Sequence, residues 1–190
     1  MTRGTGIRQH QFPEKGTKPN LWIFMKPGKP ADSSKRLKLT DVEDTRFLHC
    51  NIKTLNLLVN VMAAEKAESM GCGECVFHRG DVVTECAHSN ISMLKDGVLR
   101  TAPTDELILP GIARKHLIAL AKENGVPVVE EPFSMVELMN ADEAIVTSSS
   151  ALCMGVESID GIPVGGRDRE RFHLLQSACM EEFQRETKAR

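Results

Sequence analysis

The sequence has no long apolar run, no surplus of either charge and no tyrosine. Its apolar stretches are as short as Leu21 to Met25, far below the roughly 20 residues that a bilayer-crossing helix needs. Met1 is followed by Thr-Arg-Gly rather than by an apolar signal core; this predicts neither export nor anchoring and places the chain in the cytoplasm. A net charge of -2 lacks the clustered Lys/Arg excess that nucleic-acid phosphates call for, so the expected partner is a small molecule. What is present is ordinary for a globular chain: 190 residues, 41% of them apolar and 26% charged, enough for one good core and a small second unit.

The six cysteines, at positions 50, 72, 75, 86, 153 and 179, read as reduced thiols in a chain without an export signal. Cys72-Gly-Glu-Cys75 has C-x-x-C spacing and is followed by His78, Cys86 and His88, so zinc is conceivable. There is no second C-x-x-C, and the pair opens a strand where a redox motif would open a helix. The expectation is no metal.

Along the chain, residues 20–25 read as a strand, and the Pro/Gly/Ser-rich stretch Lys26 to Ser34 marks a boundary. It divides a segment 1–26 from a linker 27–34 and a main unit 35–190. Residues 36–42 alternate apolar and polar as a half-buried strand does. Leu55, Leu58, Val59, Met62, Ala63 and Ala67 fall at helical spacing, with Gly71 as the stop. Strands follow at 75–78 and 82–86, and Asp96-Gly97 joins strands 90–95 and 98–101 as a type I′ hairpin. Thereafter the rhythm is a helix from Pro110-Gly111 to Asn124, a strand 126–130, a short helix at 134–139 with Ser134 and Glu137 at capping-box spacing, a strand 143–147, and a last helix from 167 to 187. The class is mixed α and β, with no internal repeat.

Lys53 reads as the start of the first helix, where the macrodipole disfavours a cation by ~0.3–1 kcal/mol. It is either a solvated lysine bending away or an amine ready for Schiff-base chemistry. Glu85 stands among apolar and small residues, so it is expected to be partly buried and to need a partner. That partner is either a turn or helix cap, or a cationic ring nitrogen that the carboxylate keeps protonated. Two segments can hold an anion: Gly111-Ile112 at a helix start, and the hydroxyls of Thr147-Ser-Ser-Ser150 after a strand.

Four of these stretches, Cys50-Asn-Ile-Lys-Thr-Leu-Asn-Leu-Leu58, Val83-Thr-Glu-Cys-Ala-His-Ser-Asn90, Leu107-Ile-Leu-Pro-Gly-Ile112 and Ile145-Val-Thr-Ser-Ser149, resemble, in order and spacing, the class IV aminotransferases, pyridoxal 5'-phosphate (PLP) enzymes of the D-amino-acid and branched-chain type. The resemblance implies the large domain of fold type IV, with Lys53 joined to the cofactor as a Schiff base and Glu85 on the pyridine nitrogen. It further implies Leu109 against the ring, and Ile112, Ser148 and Ser149 at the phosphate. Thr2-Arg-Gly-Thr-Gly-Ile-Arg-Gln-His10 resembles the stretch in which D-amino-acid aminotransferases grip the substrate carboxylate, which makes Arg8 and His10, with His88, the expected substrate-binding residues; a guanidinium fork suits that task.

By the same resemblance Lys53 is the base at the substrate Cα, the pair is D-alanine with 2-oxoglutarate, and the assembly is a homodimer. Most of the family's amino-terminal small domain is expected to be missing. With it would go a phosphate-binding arginine and a tyrosine, which this chain has nowhere, and Ala113 replaces a threonine common after the phosphate-binding isoleucine. Alternatives with the same fold are a branched-chain L-amino-acid aminotransferase, an aminodeoxychorismate lyase, and a catalytically impaired PLP-fold remnant.

Overall fold

A computed structural model describes residues 2–7, 10–28 and 30–187. Regular structure begins at β1 (Leu37–Glu43) and continues through α1 (Leu58–Ser69), β2 (Glu74–Arg79), β3 (Val82–Cys86), β4 (Asn90–Lys95) and β5 (Val98–Thr101). Then come α2 (Ile112–Glu123), β6 (Val128–Glu130), α3 (Met135–Met139), β7 (Glu143–Thr147), β8 (Met154–Ile159), β9 (Ile162–Pro163) and α4 (Arg169–Thr187). The strands form one mixed sheet in the order β3-β2-β1-β8-β7-β4-β5-β6, with β9 on β8. Parallel pairs β1/β2, β1/β8 and β5/β6 interrupt an otherwise antiparallel arrangement. This is the mixed α and β class that the sequence predicts.

The middle strands β4 and β7 are buried along almost their whole length, because both faces are covered. Ile91, Met93, Ala144 and Val146 point into one core with Phe133 and Leu138 near α3. The alternate residues Leu94 and Ile145 point into a second core against α2 and α4, with Leu117, Phe172 and Leu175. Period-two alternation thus feeds two cores from one strand pair. A third, smaller core seats Ala63 and Ala67 of α1 on Cys75 and Phe77 of β2.

Two expectations are corrected. Residues 20–25 form no strand: Leu21, Trp22, Ile23, Phe24 and Met25 are all exposed, from 66% to 95%. Apolar content favours a strand only when a neighbouring strand takes up its backbone groups, and none does so here among the described residues. Lys53 is not at a helix start: α1 begins at Leu58, and residues 53–57 are irregular. Leu55, placed on the helical stripe by its spacing, is 96% exposed. The dipole argument about Lys53 therefore falls away. Strands β8 and β9 were not legible in the sequence, where Gly155, Asp160 and Gly161 interrupt the pattern. The long helix α4 and the Ser134–Glu137 capping box match expectation, the latter with both reciprocal bonds formed.

At the β4–β5 turn Asp96 and Gly97 both take positive φ, 50° and 79°, the type I′ geometry whose twist matches the flanking strands. A Cβ at Gly97 would make only ordinary contact with Arg171, so the cost of Gly97→Ala is backbone strain. It should lower stability by about 1–2 kcal/mol, read as a shift in the urea midpoint at unchanged slope.

Candidate active site

The best-defined polar construction in the molecule is centred on Arg46, just past the end of β1. Its guanidinium grips Asp44 in a fork, Nε to Oδ1 at 2.9 Å and Nη2 to Oδ2 at 2.9 Å, and donates Nη1 to Oε1 of Glu85 at 2.6 Å. The face of the group stacks on the Phe77 ring at 4.6 Å. Arg79 and Thr84 donate to Asp44 as well, so Asp44, buried and fully partnered, fixes the arginine. Burial alone would raise Asp44; the hydrogen bonds and charge of Arg46, helped by Arg79, hold it below the usual carboxylate range.

Glu85, at the end of β3, is 5% exposed, as its neighbours in the sequence suggested. Its second oxygen, Oε2, accepts from Asn90 Nδ2 at 3.0 Å and from the Leu109 amide at 3.0 Å. Among the described residues three of a carboxylate's four lone-pair directions are thus filled, leaving one for a further donor. Burial pushes Glu85 up to about 7 against the pull of Arg46.

Lys53 is exposed, and the chain around it is anchored at two points. Ahead of it, the amides of His49 and Cys50 donate to Glu106 O, on the segment that runs on to Leu109. After it, Asn60 of α1 donates to Ala87 O at 2.7 Å, in the turn that follows Glu85. Both anchors therefore land on segments that contact or flank Glu85. Leu109 is half-buried, with its amide on Glu85 and its carbonyl accepting from Asn90.

The two anion candidates flank the same face of the sheet. Gly111 caps α2 in extended conformation without a side-chain capping bond, so no capping side chain claims the first amides of α2, beginning with Ile112. A Cβ at Gly111 would sit 2.1 Å from Asn90 Oδ1; only glycine lets α2 start this close to Asn90. Thr147 lies opposite Asn90 in the β4/β7 ladder, and Ser92 is two residues along the same face. Their hydroxyls are buried and have no partner among the described residues, which in a native interior calls for a water or a ligand. Ser148 Oγ accepts from the Ala151 amide and lies 3.2 Å from Ser150 Oγ, which shapes the loop, while Ser149 is exposed.

Arg8 lies outside the described residues. His10 is exposed in irregular chain. His88 sits in the turn between Glu85 and Asn90, with Nδ1 2.9 Å from Glu74. Cys72 is half-buried before β2, and Cys75 is buried within it; burial pushes the Cys75 thiol up to about 12, so it keeps its proton. Sequence reasoning missed Asp44, Arg46, Asn90 and Glu74. The available signal was the demand that a buried Glu85 be matched by a cation.

Comparison with known proteins settles the family. The model of the amino-transferase class IV family matches residues 1–159. The chain belongs to this family. It is 43% identical over 166 residues to a D-alanine aminotransferase of Staphylococcus haemolyticus, covering 86% of this chain and 59% of the relative. It is 49% identical over 127 residues to a D-alanine aminotransferase of Listeria monocytogenes, covering 67% and 44%. The chain thus spans about half the length of the curated relatives it matches. Among solved structures, a branched-chain amino acid aminotransferase from Escherichia coli superposes with a TM-score of 0.71 at 31% identity, over 82% of this chain and 55% of that one. The fold type IV architecture is thereby shown, and no helix among the described residues is long and apolar enough to cross a membrane.

Two outcomes test the clamp of this class IV chain. Arg46→Met removes the cation that two buried carboxylates share, leaving Glu85 with none, and should cost roughly 3–5 kcal/mol in urea unfolding. Glu85→Gln reads the second. Because Glu85 is raised above its unfolded value of 4.5, the folded chain holds more protons than the unfolded one between about 4.5 and 7. The contribution of this group is full below 4.5 and is lost as pH rises through 7. The stability of Glu85→Gln relative to wild type should therefore improve by up to about 3 kcal/mol between pH 4.5 and 8.

Proposed function

We propose that this chain carries the cofactor-binding half of a PLP-dependent aminotransferase that exchanges amino groups between a D-amino acid and a 2-oxo acid. The observation that carries this reading is the Glu85 carboxylate, buried, fixed by Arg46, Asn90 and the Leu109 amide and left with one open lone pair, in a chain 43% identical to a D-alanine aminotransferase. The residues present fit PLP on three counts: the open lone pair for a pyridinium N–H, the glycine-capped start of α2, and the orphaned hydroxyls of Thr147 and Ser92 beside it. Solved relatives of the same fold include one described with pyridoxamine 5'-phosphate and one described as PLP-bound.

Glu85 would hold the proton on the ring nitrogen, with Arg46 keeping that carboxylate oriented. Leu109 would cover a ring face, and Ile112 through its amide, with Ser148 and Ser149, would meet the phosphate. The bound cofactor supplies an electron sink and a carrier for the amino group. Lys53 Nζ takes the proton from the substrate Cα and returns it on the other side of the exchange, a task for a flexible amine beside the reacting carbon. Arg8 and His10 would receive the substrate carboxylate. D-Alanine with 2-oxoglutarate is the pair this reading favours, since the curated relatives at 41–49% identity are D-alanine aminotransferases.

In this reading residues 1–26 belong to a small domain, 27–34 link it to the PLP-binding unit 35–190, and the protein works in the cytoplasm as a homodimer. The test is the absorbance spectrum of the purified chain with PLP, for wild type and Lys53→Ala. A near-visible band that requires Lys53 and fades with D-alanine but not L-alanine is expected. Folded protein without a Lys53-dependent band would overturn cofactor binding by this chain, and a band consumed by branched-chain L-amino acids would transfer the reading to that sister activity.

A further inference from the structure

Glu85 does not sit in a regular stretch of strand. In the β2/β3 ladder Val76 pairs with Cys86 and His78 with Val83, so Phe77 faces two residues of β3, Thr84 and Glu85. An extra residue in one strand is a bulge, which bends that strand and re-aims a side chain out of the alternation that regular pairing imposes. Here the two neighbours reach the same pair of groups: Thr84 Oγ1 donates to Asp44 Oδ2 at 3.0 Å, and Glu85 Oε1 accepts from Arg46 Nη1 at 2.6 Å. In a regular strand one of the two would face the other side of the sheet. A slip of one residue would undo this aim, because it exchanges the faces of every side chain that it moves.

Before the bulge, Thr84 is held by Asp44. After it, the chain is held by Glu74, the first residue of β2, a buried carboxylate whose side chain is 2% exposed. Its Oε1 accepts from the amides of Cys75 at 2.9 Å and Ala87 at 3.1 Å. Its Oε2 accepts from Ser89 Oγ at 2.7 Å and lies 2.9 Å from His88 Nδ1. One carboxylate thus binds residues 87, 88 and 89 in succession, in the turn that joins Glu85 to Asn90 and that is closed by Cys86 N to Ser89 O at 2.8 Å. A carboxylate is kept out of water by full hydrogen bonding and a cation in contact. His88 is that cation, the one ion-pair partner of Glu74 among the described residues; the contact raises the imidazole and lowers Glu74 against its burial. The ionisable neighbours on the strands, Cys75 and Cys86, are thiols that burial keeps protonated.

We propose that Glu74 fixes the register of the β3 bulge and thereby aims Glu85, with Asn90 across the turn, at the place of the cofactor's ring nitrogen. This rests on the aminotransferase reading above. Glu74 is a positioning residue: it acts on Glu85 through the turn and not on the ring. Its effect is read at Glu85 Oε2, which accepts from Asn90 Nδ2 and from the Leu109 amide at 3.0 Å each.

The experiment has two arms on the 190-residue chain. In the first, without PLP, the Leu109 amide and the Asn90 side-chain amide are followed by NMR in wild type, Glu74→Gln, Glu74→Ala and Ser89→Ala. Glu74→Ala is expected to move both resonances. Glu74→Gln, which keeps a carbonyl acceptor for the Cys75 and Ala87 amides, and Ser89→Ala, which removes a single bond of the turn, should move them less and in the same direction. If the resonances of residues 86–89 move while Leu109 and Asn90 stay, the proposal is overturned. In the second arm PLP affinity is read from the Lys53-dependent absorbance band, in protein shown by its urea midpoint to be folded. Glu74→Ala should weaken it about tenfold, or Glu74→Gln by a smaller factor should the alanine variant not fold. A lowered urea midpoint with unchanged PLP affinity would make Glu74 a structural residue only and overturn the proposal. Wild-type protein without the band would sink the aminotransferase reading, and the amide shifts of the first arm would still decide whether Glu74 aims Glu85.

Discussion

The contact on which the functional half of this molecule depends is the Arg46 guanidinium between two buried carboxylates. It draws together the end of β1 through Asp44, the end of β3 through Glu85 and the segment after β5 through Leu107 O. Arg79 and Thr84 extend the same network to the end of β2 and the middle of β3. Two anions and one buried guanidinium are favourable only with near-complete hydrogen bonding, and the fork on Asp44 with the stack on Phe77 provides it. Glu85 is consequently a fixed acceptor in a dry place, which is what a carboxylate needs if it is to hold a proton on a neighbouring ring nitrogen.

From that clamp the other parts of the site take their positions. Asn90 reads both Glu85 and Leu109 O with one amide group, which brings the segment preceding α2 onto β4. The absence of a side chain at Gly111 then lets α2 begin against Asn90, whose partner in the β4/β7 ladder is Thr147. The helix start and Thr147, whose buried hydroxyl has no partner among the described residues, thus both lie against Asn90 by the geometry of one ladder and one glycine.

A different part of the chain is open. The apolar residues from Leu21 to Met25 and the outward side chains of α1, Leu58, Val61 and Met62, are exposed. Exposed apolar surface on this scale marks places where a protein is usually covered, and the class IV relatives that this chain matches are about one and a half times as long.

Much of the fold was legible in the sequence. Alternation in β1, the capping box at Ser134, the Asp96-Gly97 turn and the helical spacing of α1 are local patterns, set by backbone geometry and by which face must be buried. The chain by itself also fixed the motif order that identifies the family, and the burial of Glu85. Three matters were decided only in three dimensions. Residues 20–25 are not a strand because a strand needs a partner, which no local pattern supplies. Lys53 precedes its helix by five residues because helix ends are set by capping and packing rather than by the apolar stripe alone. The partners of the carboxylates, Arg46 for Glu85 across 39 residues and Glu74 for His88 across 14, came from strand pairing. Electrostatic need is written in the sequence as a buried charge, whereas the residue that answers it depends on which strands lie side by side.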